Sequence, residues 1–402
     1  MAVVTKTGDT FIGRAAGLMA VATEEGHFQK IINRIGNFLI LITVVLVLII
    51  LVYLLVNNKG TPDDNLNHVL EQVLVLTIAA IPVGHPTVMS VTMAMGAKKL
   101  ALRKVIVKRL TAVEEMASIP VSTGTLTLNE LTFDEPCLTN NYSSEDILLY
   151  SYLAAEPGTN DPIEFAVRTA AEEQLAILRS RIHKHEAPDS RVLQGGQRCP
   201  SGNRSIGGCN DDAARAVNSL AKRGLRALGV ARTRPGSLEG YELVGMISLI
   251  GPPRPDSAET IRRCNDMGVD VKMITGDQQI IAKEVAHRLD MGRVILDAGH
   301  LVDADKTDEE ITEHCIRADG FAQVIPEHKY RVVELLQNRG ILVGITGDGV
   351  NNAPVLKKSN VGIAVYGCTD AARSAADIVL LAPGLSSIID GLMTSRAILR
   401  SY

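Results

Sequence analysis

Two short phrases hold the residues best placed to do chemistry. In GILVGITGDGVNNAP (340 to 354) the apolar run Ile341 to Ile345 stops at Thr-Gly-Asp, and a similar strand-like phrase ending in Thr-Gly-Asp, VDVKMITGD, stands upstream at 269 to 277. An apolar run that stops at a polar glycine turn reads as a buried parallel strand feeding a loop. In open α/β sheets ligands gather beyond the carboxyl ends of the strands, so Asp277 and Asp348 stand where a hard cation and a phosphoryl group could meet. One Gly-Asp turn is ordinary turn chemistry. Two of them, each after a strand, suggest adjacent crossovers of one sheet converging on a phosphoryl group.

The elements that must position these loops alternate in type. Helical periodicity covers Asp256 to Met267, Gln278 to Leu289, Glu327 to Asn338 and Ser387 to Arg400. Strand-like runs cover Val269 to Ile274, Phe321 to Ile325, Ile341 to Ile345, Val361 to Val365 and Ile378 to Leu381. That order predicts an α/β domain with a doubly wound parallel sheet. Before it, Ser118 to Thr127 and Tyr241 to Ile250 read as strands, and Asp146 to Ala155 and Pro162 to His185 as helices. Asp211 to Arg232 reads as a helix followed by the strand-like Leu225 to Ala231. His183 and His185 lie two apart, so on a helix they point in different directions and make no metal pair. Residues 194 to 210, QGGQRCPSGNRSIGGCN, are a linker by composition.

With 402 residues, 46% of them hydrophobic, the chain can build two or three domains. A net charge of -4 gives no global reason to expect a nucleic-acid partner, and the absence of Trp removes the best stacking platform for bases. Six scattered cysteines show neither C-x-x-C nor zinc-ligand spacing, so reduced thiols are expected.

Residues 38 to 56, FLILITVVLVLIILVYLLV, contain no charge, and a membrane-spanning helix needs about 20 such residues. A second stretch, 73 to 97, is uncharged apart from His85 and is broken at Pro82, Gly84, His85 and Pro86. Prolines around a glycine free backbone carbonyls at membrane depth, which suits either an ion site at a broken helix or a proline kink packed against a neighbour. The basic residues Lys98, Lys99, Arg103, Lys104, Lys108 and Arg109 place the following chain, and the N-terminal segment, on the cytoplasmic side. A two-helix transmembrane hairpin is therefore expected, and no secretory leader is expected in the polar first 35 residues.

At this point the residues resemble the P-type ATPases, most closely their plasma-membrane proton pumps. IPVGHPTVMSVTMAMGA resembles the family's kinked fourth membrane helix and VIVKRLTAVEEMA its stalk. STGTLTLNELTF resembles the end of the phosphorylation motif, followed by MITGD, TGDGVNNAP and DAARSAADIVLLAPGLSSIIDGL. TGDTFIGRAAGL and GHFQKIINRIGNFLI look like the actuator domain's exit into the third membrane helix. The resemblance implies a haloacid-dehalogenase-like phosphorylation domain, Mg²⁺ as cofactor, ATP as substrate, and an aspartyl-phosphate cycle coupled to H⁺ export across the plasma membrane. By carry-over, Thr123 and Thr125 match the end of the phosphorylation motif. Thr275, Gly276 and Asp277 match a phosphate-contacting loop, Lys329 the lysine that stabilises the phosphoryl charge, and Asn351 a phosphate-contacting asparagine. Arg226 matches a nucleotide-contacting arginine and Asp348 the Mg²⁺ ligand, with Asn352 and Thr123 completing the metal position.

The departures carry as much information. Val121 occupies the position of the phosphorylated aspartate and Ser122 that of the following lysine; Asn352 replaces a second aspartate and Gly251 the aspartate of D-P-P-R. No K-G-A motif or phenylalanine segment of the adenine site is found. The T-G-E loop, the first two membrane helices and those after the fourth are likewise not found, which implies a truncated and degenerate member. An isopropyl group cannot accept a phosphoryl group, so the expected function is that of a catalytically impaired proton-pump relative. The alternative is a non-catalytic, membrane-anchored pseudo-pump that binds Mg²⁺ and nucleotide weakly or regulates a full-length pump. A third reading, an active phosphatase of the same fold using another nucleophile, is disfavoured because phosphatases of this fold use an aspartate at the position that Val121 occupies.

The expected plan is an actuator-like lead-in (1 to 35), the hairpin (36 to 100, spans 38 to 56 and 73 to 97), and a stalk with the first part of the phosphorylation domain (101 to 135). A reduced nucleotide-binding insertion (136 to 240), the rest of the phosphorylation domain (241 to 390) and the start of a further stalk (391 to 402) complete it. The expected partners are the lipid bilayer, ATP and a full-length pump, with no nucleic acid. The expected location is the plasma membrane, multi-pass, with the soluble part cytoplasmic.

Overall fold

The computed structural model describes residues 27–57, 71, 74–75, 84–116, 121–123, 126–127, 131–134, 136–138, 142–155, 162–173, 190–194, 211–233 and 241–400. Two compact units result. The first comprises Met1–Pro120, Gly340–Pro383 and Ser387–Tyr402, the second Val121–Arg339 and Gly384–Ser386.

In the first unit, helix α1 (His27–Asn57) and helix α2 (Gly84–Leu102) precede strand β1 (Val105–Val107) and helix α3 (Leu110–Glu115). Further along come β11 (Gly344–Gly347), β12 (Val361–Ala364) and β13 (Ile378–Leu380), in the sheet order β1-β13-β12-β11. β11 and β12 are parallel, as are β12 and β13, and each is linked to the next through a short helix, Ala353–Lys358 and Asp370–Ala375. Every residue of these three strands is buried, which is why they read as unbroken apolar runs.

The expected strand Ile341 to Ile345 sits later than its apolar residues imply. The helix Pro326–Asn338 ends in a turn with Gly340 at φ 82°, and Ile341 and Leu342 are spent reaching the sheet. The ladder begins at Gly344 and takes in Thr346 and Gly347, so the strand does not stop at Thr346 but carries the first two residues of the Thr-Gly-Asp phrase inside the sheet. A second correction concerns β1. The segment expected only as stalk pairs antiparallel with β13, Val105 against Leu380 and Val107 against Ile378, so the array is not wholly parallel.

In the second unit, β2 (Val121–Thr123), β8 (Lys272–Ile274), β9 (Ile295–Asp297) and β10 (Gly320–Ala322) lie in the order β2-β8-β10-β9 with parallel pairings. Helices Ser257–Asp266, Gln279–Arg288 and Asp308–Arg317 lead into β8, β9 and β10, and Pro326–Asn338 follows β10. The expected strand Phe321 to Ile325 stops at Ala322 because Gln323 adopts φ 56° and turns the chain. β9 and the helix Asp308–Arg317 were not anticipated. A three-residue strand has no period to read, but the helix announces itself through Thr307 and Glu310, whose side chains and backbone amides bond reciprocally.

The same unit holds an antiparallel sheet of β3 (Thr132–Phe133), β4 (Cys137–Leu138), β5 (Ser190–Gln194), β6 (Arg226–Thr233) and β7 (Tyr241–Ile250). Helix Ser144–Ala154 packs Ile147 and Tyr150 against Leu228, Val230, Val244 and Ile247 of that sheet. The expected helix 162 to 185 is described over Pro162–Glu173; its remainder lies outside the described residues.

Among the described residues no helix is long and apolar enough to cross a membrane. Within the 31 residues of α1 the side chains of 27–33, 35, 51, 54, 55 and 57 are outside the described set, as is most of 58–83. Most of the described apolar side chains of α1 face outward, Phe38, Leu41, Ile49 and Tyr53 each about 60% exposed, while Leu39, Val47 and Ile50 are partly covered. Cys264, Cys315 and Cys368 are buried free thiols.

Candidate functional site

Asp277 is the best-defined functional candidate in the second unit. It follows β8, and the Thr275 hydroxyl both accepts from the Asp277 backbone N–H at 3.1 Å and donates to its carboxylate at 3.1 Å, closing a tight turn. The Asp277 carbonyl accepts the Gln323 N–H at 2.9 Å and the Thr275 carbonyl accepts the Val324 N–H at 3.0 Å. The left-handed Gln323 is what lets both bonds form, so the turn after β10 holds the turn after β8. Arg226, at the start of β6, donates to the Asp277 carboxylate at 2.8 Å. The two residues that the resemblance links to nucleotide and phosphate are thus one ion pair. Arg226 is nearly half exposed, so this pair adds little stability, on the order of 0.5 kcal/mol.

Gly276 is exposed at the tip of the same turn, and Lys329 lies half-buried in the first turn of the helix Pro326–Asn338. β2 places the backbone of Val121, Ser122 and Thr123 beside β8, Ser122 opposite Lys272 and Thr123 opposite Met273. Their side chains, and Thr125 altogether, lie outside the described residues.

Asp348, Asn351 and Asn352 belong to the first unit, directly after β11. The turn Val350–Asn352 folds back on the strand so closely that a Cβ on Gly347 would lie 2.6 Å from the Asn352 Cβ. Only glycine accommodates that approach. Asn352 is buried and donates its amide N–H to the Asp348 carboxylate at 3.1 Å, Asn351 is exposed, and the Asp348 carbonyl accepts the Thr369 N–H at 2.8 Å.

These donors bear on Mg²⁺, a hard cation that takes one or two carboxylates together with water and phosphate oxygens. The loop offers one carboxylate, and the neighbouring amide turns its N–H toward that carboxylate where a second acid would turn an oxygen. Among the described residues no group of three or more His, Cys, Asp or Glu could hold a metal. The loop does not make a resident Mg²⁺ site by itself. Of the membrane-kink residues, Gly84, His85 and Pro86 form the first turn of α2, with side chains outside the described set, and Pro82 lies outside it entirely.

Parallel strands ending in Thr-Gly-Asp turns, with a lysine-bearing helix nearby in sequence, define an α/β hydrolase class that comparison identifies. A family model described as haloacid dehalogenase-like hydrolase matches residues 122–360, and the chain belongs to that family. Among curated proteins it is similar to Plasma membrane ATPase 2 of Saccharomyces cerevisiae, 40% identical over 98% of this chain and 45% of that protein. Plasma membrane ATPase 2 of Schizosaccharomyces pombe is 41% identical over 98% of this chain and 42% of its own length. Within the hydrolase class the chain is thus a P-type, plasma-membrane ATPase relative, as its motifs implied. It spans less than half the length of these relatives. A solved zinc-transporting PIB-type ATPase in its E2.Pi state superposes with a TM-score of 0.65 at 21% identity, covering 99% of this chain and 60% of that one. At that identity the likeness is one of fold.

Sequence reasoning found the two Thr-Gly-Asp turns but missed three contributors to their shape. The left-handed Gln323 carries no signal in a single sequence. The close contact of Gly347 with Asn352 was signalled only by the glycine itself. The pairing of Arg226 with Asp277 joins residues far apart in the chain.

Proposed function

We propose that this chain is a membrane-anchored relative of the P-type proton pumps whose phosphorylation domain is folded but cannot form the aspartyl-phosphate. The observation that carries the reading is β2, which lies parallel to β8 as a phosphorylation-motif strand should, with valine at the nucleophile position. An aliphatic side chain has no lone pair to attack the γ-phosphorus, and neither Ser122 nor Thr123 supplies the carboxylate that the aspartyl-phosphate cycle requires.

In this reading the family resemblance assigns phosphate contacts to Thr123, Thr125, Thr275, Gly276, Asp277 and Lys329 of the second unit and to Asn351 of the first, and a nucleotide contact to Arg226. Asp348, with Asn352 and Thr123, meets Mg²⁺ only when it arrives with ATP phosphates. Arg226 must leave Asp277 to contact a nucleotide, which adds to the reasons for weak affinity. The outward apolar side chains of α1 support a hairpin of spans 38 to 56 and 73 to 97 in the plasma membrane, kinked at Pro82, Gly84, His85 and Pro86, with the hydrolase-like units in the cytoplasm. The domain plan drawn from the sequence belongs to this proposal.

A second reading, a pseudo-pump that regulates a full-length pump, is favoured by the retention of well-ordered turns around a site without a nucleophile. The test is incubation with Mg²⁺ and γ-labelled ATP, acid quenching and counting of protein-bound phosphate, beside a Val121→Asp, Ser122→Lys variant. No label on the unaltered chain is expected, and label restored in the variant would locate the defect at positions 121 and 122. An acid-stable phosphoenzyme on the unaltered chain refutes the proposal.

A further inference from the structure

Both oxygens of the Asp277 carboxylate are already engaged. Oδ1 accepts from Nε and Nη2 of Arg226, each at 2.8 Å, and Oδ2 accepts from the Thr275 hydroxyl at 3.1 Å. A carboxylate repels a phosphate, so Asp277 can face one only across a cation. The cation that this chain puts there is Arg226.

The backbone delivers that arginine. Arg226 begins β6 directly after a turn, 223 to 225, that is seated on the helix Gln279–Arg288, which itself starts two residues after Asp277. Arg288 donates to the Arg223 carbonyl at 2.6 Å and to the Glu284 carboxylate at 3.0 Å. Gly224 holds φ 76° and lies so near the helix that a Cβ on it would stand 3.0 Å from the Glu284 Cγ. Leu225 is buried, and its N–H donates to the Leu220 carbonyl at 3.1 Å. A guanidinium brought into place by such a turn gives up less freedom on pairing than one on an unconstrained surface.

We propose that Asp277 is a built-in competitor for Arg226. Without ligand the pair closes the phosphate-type turn on itself, and the phosphate chain of a nucleoside di- or triphosphate gains the guanidinium only by taking it from the carboxylate. The proposal rests on the reading above in which Arg226 contacts the nucleotide. It reverses the sign expected of a phosphate-contacting residue, since removing the Asp277 charge should tighten anion binding.

The test is calorimetric titration of the whole chain, in uncharged detergent at low salt with EDTA present, by inorganic tripolyphosphate. Asp277→Asn keeps the size of the side chain and an oxygen for the Thr275 hydroxyl. It should bind about tenfold more tightly than the unaltered chain, about twofold because the half-exposed pair no longer has to break and the rest because the carboxylate no longer repels the anion. Adding Arg226→Gln should remove the gain. Asp277→Asn binding no more tightly than the unaltered chain, while Arg226→Gln still weakens both, defeats the competition and leaves the phosphate reading standing. Affinity indifferent to Arg226→Gln in either background defeats the phosphate reading as well. Hydrogen exchange over 272–281 shows whether Asp277→Asn keeps the fold. If it does not, Gly224→Ala decides: it leaves every charge in place but strains the left-handed turn that seats Arg226, and it should raise affinity about twofold by sparing the pair that must break, with no rise as the refuting result.

Discussion

Replacing Arg109 by Met should loosen the strands β12 and β13 without disturbing the rest of the fold. The Arg109 Nε donates to Asp377 Oδ1 at 2.8 Å and Nη2 to Oδ2 at 3.2 Å, while Nη2 also reaches Glu115 at 3.0 Å and the Asn360 carbonyl. Asp377 in turn accepts the Gly362 N–H at 2.9 Å, which ties the guanidinium to β12. Burial works against the Arg109 charge, but the carboxylates of Asp377 and Glu115 outweigh it and hold its pKa above the ordinary value. Breaking a fully buried pair costs about 3 to 5 kcal/mol because the surviving charge is stranded. Glu115 is 2% exposed and Asp377 17%, but Arg109 is 36% exposed, so water recovers part of the loss and about 2 kcal/mol is the working figure. Methionine keeps the apolar stem, so the loss reports charge and hydrogen bonds. Hydrogen exchange reads it locally: amides of 361–364 and 378–380 should exchange roughly thirtyfold faster if they open through this cluster. A change under about threefold, within the range of an ordinary surface substitution, would refute the reasoning.

Gly347→Ala should force the Val350–Asn352 turn away from β11 and cost about 2 kcal/mol, seen as faster exchange over 344–352; unchanged exchange would mean that the turn gives way freely. Burial pushes the Cys315 thiol from its ordinary 9.0 up to about 11, so the unfolded chain loses this proton first and stability should fall as pH rises between those values. The full effect is about 3 kcal/mol. Lys272, whose pKa burial lowers and whose ammonium bonds the Ile316 and Ala318 carbonyls, works in the opposite sense, since its folded form releases its proton first as pH rises. Comparing denaturant unfolding of the unaltered chain and of Cys315→Ala across that window isolates the thiol; identical pH slopes would show that it does not titrate this way.

Much of this protein was legible without coordinates because the relevant signals are local. Fully buried parallel strands are mostly apolar, so β11, β12 and β13 stood out, and glycine followed by a carboxylate marked the turns after β8 and β11. The family resemblance rested on the same contiguous phrases, and so did the reading of Val121 as the residue at the nucleophile position. The short strands β3, β4 and β9 escaped because two or three residues have no period.

What the tertiary structure alone decided is of another kind. The register of β11, the antiparallel pairing of β1 with β13, the capture of Asp277 by Arg226 and the knot around Arg109 all join residues distant in the chain. Hydrophobic periodicity says which face of an element is buried but not which partner it meets. The partner is chosen by backbone hydrogen bonds and charge neutralisation in the folded chain, which leave no pattern along the sequence.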